Sequence, residues 1–129
     1  MALTAFDHVN LRTTQLEAMT AFYCDVLGLR NGPRPPFPFP GAWLYLGEQP
    51  VVHLVGIQEN LSTRDPSLEH FAFSAEDMAT LVARLEQYQV TYEVSVVPGW
   101  NIHQVNVYDP DGNHLHIDFS AADAAQMAR

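Results

Sequence analysis

The chain has 129 residues, of which 47% are hydrophobic, a single cysteine and a formal net charge of −9, a composition that suits one globular domain with an ordinary core and argues against disorder. The negative charge repels phosphate backbones and anionic lipid, so nucleic acid and membrane surfaces are excluded as expected partners and small molecules or protein surfaces remain. No segment approaches the ~18 apolar residues that span a bilayer, and the opening MALTAFDHVN lacks the charged start and apolar run of a secretory signal, so the expected location is cytoplasmic.

In chain order, TAFDHVNLRT alternates and predicts a strand, with Val9 and Leu11 as its core pair and His8, Asn10 and Arg12 on the opposite face. TTQLEAMTAFYCDVLGL carries Leu16, Met19, Tyr23 and Leu27 at helical spacing, with Thr14 as N-cap and Gly28 as the stop. Cys24 falls on the packed side of this helix and is expected to be a small buried hydrophobe rather than a reactive thiol. The proline-dense NGPRPPFPFPGA cannot be helix and is at best an edge strand or loop. Two short strands, AWLYLG and PVVHLVG, follow, joined by a turn around Glu48 and Gln49. IQENLSTRDPS is polar and turn-rich and is expected to connect to a second half.

The second half repeats the order. LEHFAFS alternates with Phe71 and Phe73 as its core pair, and AEDMATLVARLEQYQ has helical spacing through Met78, Leu81, Val82 and Leu85. VTYEVSVV, NIHQVNVYD and NHLHIDF are strands, the last two joined by a DPDG turn, and AADAAQMAR is a short terminal helix. The expected fold is α+β: a single domain over 1–129 built of two βαβββ modules, about 5–57 and 67–119, with a short C-terminal tail.

Six histidines stand at positions 8, 53, 70, 103, 114 and 116, and histidine is the commonest metal-binding side chain. They repeat with the modules: His8 and His70 precede the two helices, 70 − 8 = 62 apart, while His53 and His116 fall in the last strands, 116 − 53 = 63 apart. The alternation sets His70 opposite the phenylalanines, and His114, His116 and Asp118 opposite Leu115, Ile117 and Phe119. Such a face is either a solvated sheet surface or a cleft, and the recurrence of histidine where lysine is absent favours a metal site built on His8, His70 and His116. His53, between Val51 and Val55 at its own parity, is as readily a satisfied core histidine as a further ligand. His114 lies one strand step, ~6.5–7 Å, from His116 and reads as a neighbour of the site, with Asp118 an orienter of an imidazole or a distal base. His103, at the parity of Val105 and Val107, and Tyr108, at the other, stay open as site residues. Phe37, Phe39 and Trp43 offer a wall for a flat substrate or serve as aromatic core of an edge strand. Arg12 meets an anionic substrate group or a surface carboxylate.

FDHVNLRT, the helix ending in FYCDVLGL, AWLYLG, PVVHLVG, LEHFAFS and DPDGNHLHIDF together resemble the vicinal oxygen chelate superfamily of glyoxalases, bleomycin resistance proteins and extradiol dioxygenases. The resemblance implies two βαβββ modules forming a curved mixed sheet around a cleft, with helices on the outer face. It also implies one divalent metal, whose identity stays open among zinc, iron, nickel, cobalt and manganese, and a homodimer. Its ligand positions fall on His8, His53, His70 and His116. The sequence departs from the family where glutamate is usual, since imidazoles stand at positions 53 and 116. That loss of negative charge disfavours a hard cation and removes the usual base, leaving Asp118 or an imidazole in its place. The expected function is a metal-dependent enzyme acting on a small oxygen-bearing metabolite, with a slight preference for dioxygenase-like over lyase or isomerase chemistry. A non-catalytic, resistance-type binding protein is the alternative.

Overall fold

The structure is a computed structural model and describes residues 1–2, 4–59 and 68–127. The chain divides into two compact units, Met1–Ser62 and Thr63–Arg129, and each repeats the order strand, helix, three strands.

In the first unit β1 (Val9–Thr13), α1 (Leu16–Ala21), β2 (Arg30–Gly32), β3 (Gly41–Leu46) and β4 (Gln49–Gly56) build a sheet of order β1-β4-β3-β2. The first and last strands run parallel, in register from Val9↔Val52 to Thr13↔Gly56, and the remaining pairs are antiparallel. A parallel pair needs a long crossover, and the helix with the two intervening strands supplies it. Pairing aligns Leu11 with Leu54 on one face and Asn10 with His53 on the other. Leu11, Ala42, Leu44, Val52 and Leu54 are buried together with Met19, Phe22, Tyr23 and Val26, each contributing on the order of 1.5–3 kcal/mol of apolar burial for the larger side chains.

The second unit holds β5 (Phe71–Ser74), α2 (Met78–Gln87), β6 (Tyr92–Val97), β7 (Ile102–Tyr108), β8 (His114–Ser120) and a terminal α3 (Ala121–Met127). Its sheet has the matching order β5-β8-β7-β6, with β5 and β8 parallel. Val105, Val107, Leu115, Ile117 and Phe119 form the buried row of the sheet, and α2 buries Met78, Leu81, Val82 and Leu85. The expected α+β fold of two βαβββ modules is therefore present.

Several local expectations are corrected. The first helix is α-helical only to Ala21 and continues as a π-helical turn over Phe22–Val26 before Gly28, at φ 85°, ends it as expected. Gln15 rather than Thr14 is its N-cap and makes no side-chain cap bond; the buried Thr13 instead accepts the Gln15 N–H on its hydroxyl at 2.9 Å. His8 and His70 lie one residue before β1 and β5 rather than within them, because the ladders begin at Val9↔Val52 and Phe71↔Leu115. The expected connection IQENLSTRDPS is described only to residue 59; its remainder lies outside the described residues.

Two acidic side chains organise the second unit. Asp123 of α3 accepts the backbone N–H groups of Asp77 and Met78 at 2.6 and 2.8 Å, placing a carboxylate at the positive end of α2 and tying the two helices together. Asp109, only 4% exposed, accepts from the N–H groups of Asp111 and Asn113 at 3.0 and 2.9 Å and closes the DPDG turn, in which Gly112 supplies φ 84°. That turn fixes the register Tyr108↔His114 and Asn106↔His116.

Candidate functional site

The polar face of the first sheet carries a row of rings. His8 and His53 stack with centroids 3.8 Å apart and planes 10° from parallel, and Trp43 covers the other side of His53 at 4.0 Å and 11°. Phe37 leans on Trp43 at 6.4 Å and stacks on Phe39 at 5.0 Å. The Arg34 guanidinium lies over both phenylalanines and donates to the Phe39 carbonyl at 3.0 Å, so the proline-rich stretch is held as a defined loop. Arg12, paired with Val55, shares this face and is exposed.

Hydrogen bonds fix the two imidazoles differently. His8 Nδ1 lies 2.8 Å from an Asp7 carboxylate oxygen, and this bond holds the Asp7 carboxyl below its usual range. The buried His53 has Nε2 at 3.1 Å from the Pro50 carbonyl; burial first, and then the neighbouring His8, lower its pKa. A ligand lone pair lies in the plane of its ring, and nearly parallel planes 3.8 Å apart do not meet at one ion. As placed, only one of His8 and His53 can serve a given metal.

On the polar face of the second sheet, His70 and His116 approach with ring centroids 4.8 Å apart and planes at 41°. His70 Nδ1 is hydrogen-bonded to Glu69, whose carboxyl is held below its usual range by that bond. His116, buried, has Nδ1 2.5 Å from an Asp118 oxygen. His114 takes another arrangement: Nε2 faces the Asn106 side-chain carbonyl at 3.0 Å, and Nδ1 lies 3.8 Å from Glu69. Tyr108 stacks on it at 5.1 Å. Glu69, His70 and His114 each bring one donor atom to within 4.8 Å of the others, beside a cavity of about 260 Å³ that Tyr108 and Asn113 also line.

The sequence model of the Glyoxalase/Bleomycin resistance protein/Dioxygenase superfamily matches residues 5–117. The chain belongs to this superfamily. Solved structures of the same fold include a putative glyoxalase family protein from Bacillus anthracis, 21% identical, TM-score 0.76, covering 93% of this chain and 98% of that one. A lactoylglutathione lyase from Agrobacterium tumefaciens is 23% identical, TM-score 0.69, with 95% and 98% covered, and a genomically encoded fosfomycin resistance protein from Listeria monocytogenes is 12% identical, TM-score 0.74, with 92% and 95% covered. Among curated protein sequences, none matches the chain significantly.

Within the superfamily frame, the structure brings together His8 with His53, Trp43, Phe37 and Phe39 in one module, and His70 with His114, His116, Asp118 and Tyr108 in the other. It separates His103 from them: that residue pairs with Phe119 beside Val105 and Val107, on the face opposite His116. The residues that sequence reasoning missed are Asp7, Glu69 and Asn106. The signal was an acid immediately preceding the first histidine of each module, Asp7 before His8 and Glu69 before His70. The donors present fit the metal implied by the superfamily resemblance, since Glu69, His70 and His114 each bring one donor atom to within 4.8 Å of the others and His116 lies beside His70 with its Nδ1 anchored by Asp118. No helix of the described residues is long and apolar enough to cross a membrane.

Proposed function

We propose that this chain is a metal-dependent enzyme of the superfamily that acts on a small metabolite carrying adjacent oxygens. The observation that supports this reading is the clustering of Glu69, His70 and His114, with one donor atom each within 4.8 Å of the others, and of His116 beside His70, at the end of the module where β5 and β8 run parallel. His70 and His116 are the candidate ligands of the second module, and His8 is, separately, the candidate ligand of the first. His53 supports His8 by stacking. When bound, the ion supplies Lewis-acid stabilisation of charge developing on a substrate oxygen.

The chain's own residues do the rest. Phe37, Phe39 and Trp43 give a flat or apolar substrate a surface to stack on, and Arg12 offers a charge for an anionic group. Tyr108 lines the cavity with a hydroxyl able to donate or accept a proton, and Asp118 acts on His116. An imidazole-rich set of candidate donors, with Glu69 beside them, suits zinc, nickel or cobalt better than a hard cation, and this weighs for proton-transfer chemistry and against the oxygen-dependent ring cleavage that the sequence slightly favoured.

A second reading, sequestration of a ligand without turnover, is supported by the ring row from His8 to Phe39, whose Phe37 and Phe39 are 41% and 40% exposed. Metal analysis of purified protein separates the two. Uptake of one equivalent of zinc, nickel, cobalt, manganese or iron, lost in His70→Gln and His116→Gln, is the expected result. Protein that takes up none of these ions would remove the enzyme reading and leave the binding protein.

A further inference from the structure

We propose that Asp7, Glu69 and Asp118 are positioning residues that hold His8, His70 and His116 with the proton on Nδ1 and the lone pair on Nε2. We further propose that Asp118 returns, through the His116 ring, the negative charge that the family resemblance leads one to expect from a glutamate at position 116. The proposal rests on the metal-binding reading above and says which ring nitrogen each candidate ligand keeps free for an ion.

The hydrogen-bond partners sort the imidazoles into two classes. An ionised carboxylate only accepts. The ring nitrogen that meets it must therefore carry hydrogen, and in a neutral ring the other nitrogen is bare. His8 meets Asp7 through Nδ1, His70 meets Glu69 through Nδ1, and His116 meets Asp118 through Nδ1 at 2.5 Å. His53 and His114 do the reverse, meeting the carbonyl oxygens of Pro50 and Asn106 through Nε2. The orientation of the Asn106 amide is itself fixed, because its nitrogen donates to the Glu93 carbonyl at 3.2 Å and the Ser95 hydroxyl at 3.1 Å, leaving its oxygen for His114. The histidines at positions 8, 70 and 116 meet a carboxylate at hydrogen-bond distance through Nδ1, whereas His53 and His114 meet carbonyl oxygens through Nε2, His114 having Glu69 only at 3.8 Å from its Nδ1.

Charge makes the difference functional. A carboxylate on the far nitrogen raises the basicity of the near one and holds the ring at one angle, and removing such a partner lowers metal affinity about 10- to 100-fold. Asp118 and His116 lie two residues apart on one strand face, with side chains 25% and 11% exposed, so the charge is partly shielded from water. The acid absent from position 116 is present two residues later, one ring removed from the ion.

The test begins with metal-free protein. Two-bond ¹H–¹⁵N correlation of the imidazoles at alkaline pH is expected to show the Nδ1–H pattern for His8, His70 and His116 and the Nε2–H pattern for His53 and His114. Asp118→Asn keeps an acceptor and loses the charge: the Nδ1–H pattern of His116 is retained while Co²⁺ affinity, followed by its visible spectrum, falls about 10- to 100-fold. Asp118→Ala loses both, and Asp118→Glu recovers part of the affinity. An Nε2–H pattern for His116 in the unsubstituted protein overturns the proposal, as does an Asp118→Ala protein with unchanged tautomer and unchanged Co²⁺ affinity. Unsubstituted protein that binds no Co²⁺ overturns the metal reading and the charge role with it, and the spectra of metal-free protein decide the tautomers independently.

Discussion

The imidazoles of His8 and His53 lie face to face, 3.8 Å apart and 10° from parallel, with Trp43 closing the far side of His53. Two stacked rings cannot both become cationic without repulsion, and burial adds to the cost for His53. The pKa of His53 in the folded chain is lowered from the ordinary 6.5 by burial and by His8. Between the folded and unfolded values the unfolded chain binds more protons, so the contribution to stability is complete above about 6.5 and is lost as pH falls through the folded value. Urea midpoints are expected to fall on going from pH 8 to pH 5.5, and His53→Gln is expected to flatten that slope. The carboxyls of Asp7 and Glu69, lowered from 3.8 and 4.5, act in the same direction only at more acidic pH, so the two windows are separable in one titration.

Gly41 supports this stack from the backbone. A Cβ built there meets the Leu54 carbonyl oxygen at 2.4 Å, whereas one at Gly47 meets nothing within 4 Å. Gly41→Ala must push β3 from β4 next to Trp43 and His53, at a cost of about 1–3 kcal/mol. Gly47→Ala, at φ 61°, costs about 1 kcal/mol from the left-handed backbone alone. Denaturation midpoints of the two variants give the order, and an equal loss in both contradicts the close approach at Gly41.

Asp123 accepts two N–H groups at the start of α2. Asp123→Ala leaves both to water and is expected to destabilise the protein by about 0.5–2 kcal/mol, read as a lowered midpoint in chemical denaturation with no change in the imidazole spectra of His70 and His116. A coincident change in those spectra contradicts a role confined to the helix end.

Metal binding is linked to stability. Zn²⁺ at 100 times its dissociation constant is expected to raise the unfolding free energy by about 2.7 kcal/mol, a chelator to reverse the gain, and His116→Gln to abolish most of it. Thermal unfolding with and without Zn²⁺ measures this directly, and equal melting temperatures contradict the ligand assignment.

The modules were legible in the sequence because apolar spacing records which face is buried: Val9 with Leu11, and Leu115 with Ile117 and Phe119, assign the histidines to the other face without any coordinates. Asp7 and Glu69 were not legible for the same reason. Strict alternation places a neighbour on the opposite face, but both acids and their histidines precede the first ladder pair, where alternation lapses and a carboxylate can bend back to the adjacent ring. His103 stayed open because alternation gives two sets and not which set is buried; its pairing with Phe119 decides it. The role of Asn106 depends on register across the β7–β8 hairpin, which Asp109 and Gly112 set through a turn whose hydrogen bonds the sequence only hints at.

The parallel pairing of β5 with β8 has a kinetic meaning. His70 and His116 are far apart in the chain and become neighbours only when the last strand closes against the first, so these candidate ligands are assembled by a long-range contact of their module and not by any local turn. Contacts of that separation form late and carry the largest loop-closure cost. During synthesis the second module can therefore build its helix and its β6–β7 hairpin while His70 still lacks its partner across the sheet, and the capacity to capture an ion at this pair arrives only with the final strand.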